Sequence, residues 1–358
     1  MSDFASPNDV PGSGGLTGLL TAPPSGREPY VVGIDAGGTH TRCALATLDG
    51  TVVGEGRGPG ANPNSGGDPE RALGEALAEA MAGFDPASVR GGVFGIAGAG
   101  AAGRPVLVSA SQRAWEKLGI AGQPEVFTDI AINFASGTTA ASGIVVFAGT
   151  GAGAAVIRDG EIVARADAYG YLLGDEGSAV WIGRQGVKAA LAAMDGRGPE
   201  TLLSRMVPEA LLGPEVLAGL RPRPLVLAGS GHEPTGFGRP APPSAMPQAI
   251  LKEVYGAPPA ALGKVGPVVS SAAELGDEVA LRIVREAADS LLLDVDAITP
   301  ALGDPAAPVV MAGSVLGGGM VADLVRAGLR ERFSSEPCQA GDGAAGAARM
   351  AIRRLAVA

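Results

Sequence analysis

Residues 30–41 read Tyr-Val-Val-Gly-Ile-Asp-Ala-Gly-Gly-Thr-His-Thr, and residues 143–154 read Gly-Ile-Val-Val-Phe-Ala-Gly-Thr-Gly-Ala-Gly-Ala. Each is an apolar run of strand length that stops at a glycine-rich turn. After the first, 41–47 reads as a second strand, Asp49 and Gly50 form a two-residue hairpin signal, and 51–56 returns as a third strand. After the second, 154–158 is a strand, Asp159 and Gly160 repeat the hairpin signal, and 161–166 returns. Thr39 lies ten residues before Asp49, and Thr150 lies nine before Asp159. Strand, glycine turn, strand, Asp-Gly turn, strand therefore occurs twice, and an internal repeat of this kind predicts two similar lobes facing each other. Two unrelated hairpins in an α/β protein are the plainer alternative.

The pattern extends outward from both units. Leu73, Ala76, Leu77 and Met81 have helical spacing and predict a helix over 70–81. A strand over 93–97, a helix over 105–118 and a short strand over 125–128 follow, the last stopping at Asp129. Beyond the second unit, helices are expected over 178–193, 199–206 and 272–298, a strand over 308–312, and helices over 320–333 and 341–357. The Pro- and Gly-rich stretch 220–267 reads as loop or short helices. Residues 1–29, rich in Ser, Pro and Gly, read as a disordered leader, with order beginning near Tyr30.

The chain has 358 residues and carries 27 basic against 37 acidic side chains, a net charge of −10. That length predicts more than one lobe. Hydrophobic residues at 46% and charged residues at 18% describe a folded chain. The acidic balance argues against a nucleic-acid partner, which would need a basic face. No apolar run approaches the roughly 18 residues of a membrane span, and no basic patch followed by an apolar stretch marks a secretory signal. The expectation is a cytoplasmic protein without a membrane partner. Two cysteines, Cys43 and Cys338, exclude a disulfide framework, and two histidines, His40 and His232, leave little for a His-based metal centre.

Five segments could carry chemistry. Gly37, Gly38 and Thr39 follow Asp35 at a strand end. Glycines there let backbone N–H groups approach an anion, and a carboxylate can hold Mg²⁺ through water. Thr41 adds a second hydroxyl. No Gly-Lys-Ser/Thr follows, so this is not a Walker loop, and a strand rather than a helix comes next, so it is not a dinucleotide fingerprint. Gly149, Thr150 and Gly151 offer the same cradle in the second unit, so two opposed turns could clamp one nucleotide. Asp129, at the end of a short strand, reads either as a base for a substrate hydroxyl or as the N-cap of a helix over 130–135. Asp175, within Gly174-Asp-Glu-Gly-Ser178, reads either as a hydroxyl ligand or as an acidic helix start. Gly313 and Ser314 end a strand where a flat base could approach the backbone, or simply begin a flexible loop.

These segments, in this order, resemble the sugar-kinase, Hsp70 and actin superfamily. Within it they look most like the BadF/BadG/BcrA/BcrD-type ATPases, and closest to N-acetylglucosamine kinases. The resemblance runs from about Val31 to the C-terminus, and its most specific stretch is 169–188. It implies an α/β fold of two ribonuclease-H-like lobes, an actin-like ATPase, with a nucleotide cleft between them. The first lobe would comprise 30–140 with 340–358, and the second 141–339 with helical insertions.

Position by position, the resemblance implies that Gly37, Gly38, Thr39, Thr41, Gly149, Thr150, Gly151, Gly313 and Ser314 bind ATP. Asp35 would hold Mg²⁺. Asn62, Gly98, Asp129, Thr150, Tyr169 and Asp175 would meet the sugar, with Asp129 as catalytic base and Asp342 and Gly343 opening the helix that closes the lobes. Tyr169 stands where animal kinases have a tryptophan, and Ala97 where they have a serine. The implied activity is phosphorylation of an amino sugar, first N-acetylglucosamine at the 6-hydroxyl, with glucosamine or N-acetylmuramic acid as alternatives. The implied partner is a small amino sugar, and the pattern allows a homodimer. Two other classes share the fold: a non-catalytic sugar sensor, and a redox-activator ATPase that needs clustered cysteines for an iron–sulfur centre.

Overall fold

The computed structural model describes residues 28–63, 66–100, 102–220 and 245–356. The expected leader, apart from its last two residues, and residues 221–244 of the 220–267 stretch lie outside the described residues.

The first unit is a five-stranded sheet of β1 (Tyr30–Ala36), β2 (His40–Thr47), β3 (Val52–Pro59), β4 (Val89–Ile96) and β5 (Glu125–Thr128), in the order β3-β2-β1-β4-β5. β2 runs antiparallel to β1 and β3, while β4 and β5 run parallel to β1. The second sheet contains β6 (Ser142–Ala148), β7 (Ala152–Arg158), β8 (Glu161–Asp167), β9 (Val309–Ala312) and β10 (Cys338–Gln339). Its order, β8-β7-β6-β9-β10, repeats the first sheet strand for strand, with the same directions. The repeat in the sequence is thus two copies of one sheet.

Helices cover both sheets. On the first, α1 (Pro69–Ala80) starts at Asp68, whose carboxylate accepts the Arg71 N–H at 3.2 Å, with Pro69 fixing the first turn. It buries Ala72, Leu73, Ala76, Leu77 and Ala80. Glycine occupies every second position of β3 facing it. A Cβ on Gly54, Gly56 or Gly58 would strike the carbonyls of Ala80, Ala76 and Ala72, so α1 rests on bare strand backbone. α2 (Arg104–Lys117) inserts Trp115 edge-on against Phe94, ring centroids 5.8 Å apart.

α3 (Asp129–Gly137) and α10 (Gly343–Leu355) lie between the two sheets. There Val31, Val93 and Phe127 from the first sheet share one core with Val145, Ile157 and Val310 from the second. Both helices approach closely because small residues let them: Gly33 meets the backbone of Ala344 and Ala348, and Gly346 meets Ser136. The second sheet's other face carries α4 (Ala179–Met194), α5 (Leu203–Leu220), α6 (Ala245–Gly256), α7 (Gly266–Glu274), α8 (Glu278–Leu302) and α9 (Met320–Arg332). No helix among the described residues is long and apolar enough to cross a membrane.

The differences from expectation are local. The helix over 272–298 is two helices, because Gly276 takes φ +85° and Asp277 caps α8 by accepting the Ala280 N–H at 2.8 Å. The helix expected at 199–206 begins at Leu203 and continues to Leu220 across a break at Gly213, φ 72°. Within 220–267, α6 and a 3₁₀ segment Pro259–Val265 are ordered. β10, two residues long, has no pattern to announce it.

Candidate active site

Parallel pairing lines up three strand ends. Ala36 is in register with Ile96, and Ile96 with Thr128. Asp35, the turn at Ala97 and Gly98, and Asp129 therefore emerge along one edge, within about 10 Å for two inter-strand steps. Ala97 N–H donates to Ala36 O at 2.8 Å, which ties the second of these ends to the first. Gly98 has φ +88°, which glycine adopts without strain.

Asp35 sits beside the start of α10. Its Oδ2 accepts from Arg42 Nη2 at 3.2 Å, and the same guanidinium reaches Asp342 Oδ2 at 3.3 Å. A Cβ on Gly343 would overlap the Asp35 carboxylate, so only glycine lets the helix come this close. Burial holds the Asp35 carboxyl above its usual range, Arg42 opposes this, and Asp342 adds to it.

Asp129 is the first residue of α3. Thr128 is the cap: its Oγ1 accepts the Ala131 N–H at 3.3 Å. This corrects the expectation that Asp129 could itself serve as N-cap, and it leaves the Asp129 carboxylate without that duty. Burial first, then the charge of Asp35, pushes the Asp129 carboxyl up to about 6. The two carboxylates therefore feel each other across the strand ends.

The first glycine turn closes by Gly37 N–H to His40 O at 2.9 Å, with Gly38 and Thr39 exposed. Gly60 packs on Gly38, and Ala61 N–H donates to Gly37 O at 3.0 Å, which sets Asn62 just behind the turn. Thr41 is placed differently from the expectation. It is fully buried and its hydroxyl donates to Pro59 O at 2.7 Å, so it braces β2 against β3 and does not face the turn's open side. Arg42, one residue on, points outward instead. No motif marks Arg42, although strand alternation from Thr41 carries the signal.

A second cluster forms at the ends of β6 and β9. Gly149 N–H donates to Gly151 O at 2.8 Å, and the turn leaves Thr150 exposed. Val315 N–H donates to Ala148 O at 3.0 Å, and Gly149 lies about a van der Waals contact from Ser314, so both glycine segments share this end. Ala179 N–H donates to Gly149 O at 2.8 Å, which fixes α4 to the turn. Asp175 is buried with its carboxylate against Gly151, 3.1 Å from where a Cβ would stand.

The loop carrying Asp175 and Tyr169 is organised by Asp167, which no sequence motif marks. Its carboxylate accepts N–H bonds from Asp175 and Glu176, both at 2.9 Å. Asp167, Ala168 and Asp175 all have φ between 56° and 59°. Tyr169 is 62% exposed and stacks under Arg165, whose Cζ lies 5.5 Å from the ring centre. On α8 beneath, the Asp294 carboxyl is pushed up to about 7 by burial and by Asp167 and Glu176.

The sequence-predicted residues thus fall into two groups, one at each sheet's strand ends. Asp342 and Gly343, at the start of α10, follow directly from the second sheet and touch Asp35 of the first group through Arg42. Cavities of about 550, 280 and 110 Å³ lie elsewhere and are lined by none of them. Cys43 is buried in the first sheet and Cys338 lies on β10 of the second. Among the described residues no group of three or more His, Cys, Asp or Glu is placed to hold a metal ion.

Comparison with known proteins adds a lineage to this geometry. A sequence profile of the BadF/BadG/BcrA/BcrD ATPase family matches residues 32–351. The N-acetylmuramic acid/N-acetylglucosamine kinase of Clostridium acetobutylicum is 31% identical over 294 residues, which covers 80% of this chain and 85% of that protein. Two solved structures share the fold. One, from Chromobacterium violaceum and provisionally named an N-acetylglucosamine kinase, has a TM-score of 0.62 at 23% identity, over 90% of this chain and 98% of that one. The other, a ROK family glucokinase from Streptomyces griseus solved with glucose and AMPPNP, has a TM-score of 0.53 at 18% identity, over 90% and 99%.

Proposed function

Because the chain belongs to the BadF/BadG/BcrA/BcrD ATPase family, we propose that it is an ATP-dependent kinase that phosphorylates an amino sugar, N-acetylglucosamine at the 6-hydroxyl. N-acetylmuramic acid, which the Clostridium relative's name includes, and glucosamine are the alternatives within the same chemistry. The observation that carries this reading is Asp129: a carboxylate at a strand end, freed from capping by Thr128, and pushed up to about 6. A base works best when its pKa lies near the working pH.

The roles read here are those the resemblance implies, and the placement of the turns and strand ends supports them. Backbone N–H groups of Gly38 and Thr39, and of Thr150 and Gly151, cradle the phosphates from the two sheets, while Gly37 and Gly149, whose own N–H groups close the turns, shape the two cradles. Gly313 and Ser314 let the nucleoside approach β9. Asn62, Gly98, Tyr169 and Asp175 surround the sugar, and Thr150 stands where sugar and phosphate meet. Asp129 orients the acceptor hydroxyl and takes its proton as oxygen attacks phosphorus in line. Phosphoryl transfer asks a protein mainly for such positioning and charge stabilisation. Thr41 supports the first turn from within the sheet.

Asp35 fits a magnesium ion held partly through water. Arg42 engages its Oδ2, and among the described residues no donor meets Oδ1. One carboxylate, phosphate oxygens and waters make a normal magnesium shell, and the bound ion would neutralise phosphate charge. A kinase that draws on ATP works where ATP is pooled, which supports reading this protein as cytoplasmic.

The test is coupled ADP release over glucosamine, N-acetylglucosamine, N-acetylmannosamine, N-acetylmuramic acid and glucose. The expected result is the highest kcat/KM for N-acetylglucosamine, with a 6-phosphate product. ADP release no faster with any sugar than without one overturns the reading.

A further inference from the structure

α3 and α10 begin at the strand ends, with Asp129 and Asp342, and finish on the far side of the seam, at Gly137 and Leu355. Over their lengths, about 13 and 20 Å at the usual helical rise, they lead away from the reaction site. At that far end they wall a cavity of about 550 Å³. Ala131 and Phe134 line it from α3, Met350 from α10, and Ile157, Asp159 and Gly160 from the second sheet, while residues 139–141 close one side. A neighbouring hollow of about 280 Å³ shares Ala135, Thr139 and Arg353 with it and adds Arg349. The larger space alone falls within the roughly 300–1,000 Å³ of small-molecule sites.

The lining charges balance in number, Asp49, Glu125 and Asp159 against Arg349, Arg353 and Arg354, but not in engagement. Arg349 and Arg353 stand one turn apart on α10. Arg349 Nη2 donates to Ser136 O at 3.0 Å and Arg353 Nη1 to Thr139 O at 2.7 Å. A guanidinium has five N–H donors, so most remain unused. Neither forms an ion pair among the described residues. The acids nearby have other engagements or lie apart. Glu125 holds Arg354 at 2.6 Å, Asp49 accepts from Thr51 N–H at 2.9 Å within its own hairpin, and Asp159 lines the cavity from the opposite sheet. Burial, and then the neighbouring Arg349 charge, press Arg353 below the usual guanidinium range.

We propose that this cavity, together with the hollow that adjoins it at Arg353, is a second ligand site, which takes a small anion with an apolar body. Its acid group lies between Arg349 and Arg353, and its body against Phe134, Ile157 and Met350. Planar guanidiniums suit a carboxylate, sulfonate or phosphate, and the apolar wall excludes inorganic anions as the preferred occupant. The walls come from both sheets, so an occupant bears on the angle between them. The site is independent of the amino-sugar assignment.

The test titrates the full-length protein with 8-anilinonaphthalene-1-sulfonate, a sulfonate on a fused aromatic body, followed by fluorescence. Saturating Mg–ADP is present throughout to keep the dye off the nucleotide turns. The expected result is a saturable signal at one dye per chain. Dye affinity falls at least tenfold in the double variant Arg349→Gln/Arg353→Gln. It falls as far in Ala140→Trp, which fills the cavity without touching charge. It is kept in Leu172→Ser/Leu173→Ser, which removes the exposed apolar loop as a rival dye site. Unchanged Tm shows that each variant is folded. A signal that never saturates, or that keeps wild-type affinity in both the charge-removing and the cavity-filling variants, overturns the proposal.

Discussion

Asp129 faces two demands that pull in opposite directions. The proposed role as base needs it ionised, whereas folding pays least when a buried carboxyl is neutral. Replacing it by Asn separates the two. Asp129→Asn loses about 10²–10⁴ in turnover, the usual worth of a general base, while ATP binding stays near wild type. Coupled ADP release and nucleotide titration read these separately, and wild-type turnover would remove Asp129 from its role. In the wild type, kcat/KM climbs through about pH 6 and is level above, as the carboxyl ionises. The stability sign is the reverse. The folded pKa is raised from 3.8, so the native state holds the extra proton across that window, and stability falls as pH rises from about 4 to about 6. At pH 8, Asp129→Asn therefore melts higher than wild type, and the gap closes below pH 4. Asp294→Asn shows the same sign, with its window reaching about 7. The strand ends and glycine turns that bear the candidate site were legible residue by residue, because such features announce themselves locally. The exception is Thr41 against Arg42. A hydroxyl beside a glycine-rich turn suggests chemistry, but alternation along β2 turns Thr41 inward.

At the level of elements, glycine decides how closely helices and strands approach. Gly33→Ala drives a methyl into the backbone of Ala344 and Ala348, where no side chain can give way. The expected loss is about 1–3 kcal/mol or more by chemical denaturation, as for an overpacked core. Gly74→Ala is the counterpart. Gly74 sits inside α1 with nothing within 4 Å of a new Cβ, so the helix gains about 0.5–1 kcal/mol. A stable Gly33→Ala protein would mean that α10 does not rest on β1 as described. The same scale shows where the sequence stops speaking. Strands repeat in composition and spacing, so both sheets could be read from it. The break between α7 and α8 turns on one left-handed glycine and the Asp277 cap inside an apolar pattern that is continuous on either side. β10 is held by two residues of pairing with β9, and its own pattern carries nothing that a loop would not.

For the whole molecule, the two thiols act as gauges of opening. Cys43 is 2% exposed on β2, and burial pushes its thiol far above the usual range, whereas Cys338 is only partly covered on β10. A thiol reagent such as Ellman's should find Cys338 in the native protein and reach Cys43 only on global unfolding. Rapid native reaction of both would show that the first sheet opens on its own.

The bare ladder of Gly54, Gly56 and Gly58 under α1 has a mechanical consequence. The helix is seated on main chain at three successive rungs, like a key in a lock, so it can neither roll nor slip without collision. That outer layer is therefore locked to its sheet by backbone contact. An extra residue inserted into β3 would turn the rungs over and set side chains against the helix carbonyls, which no rotamer could avoid.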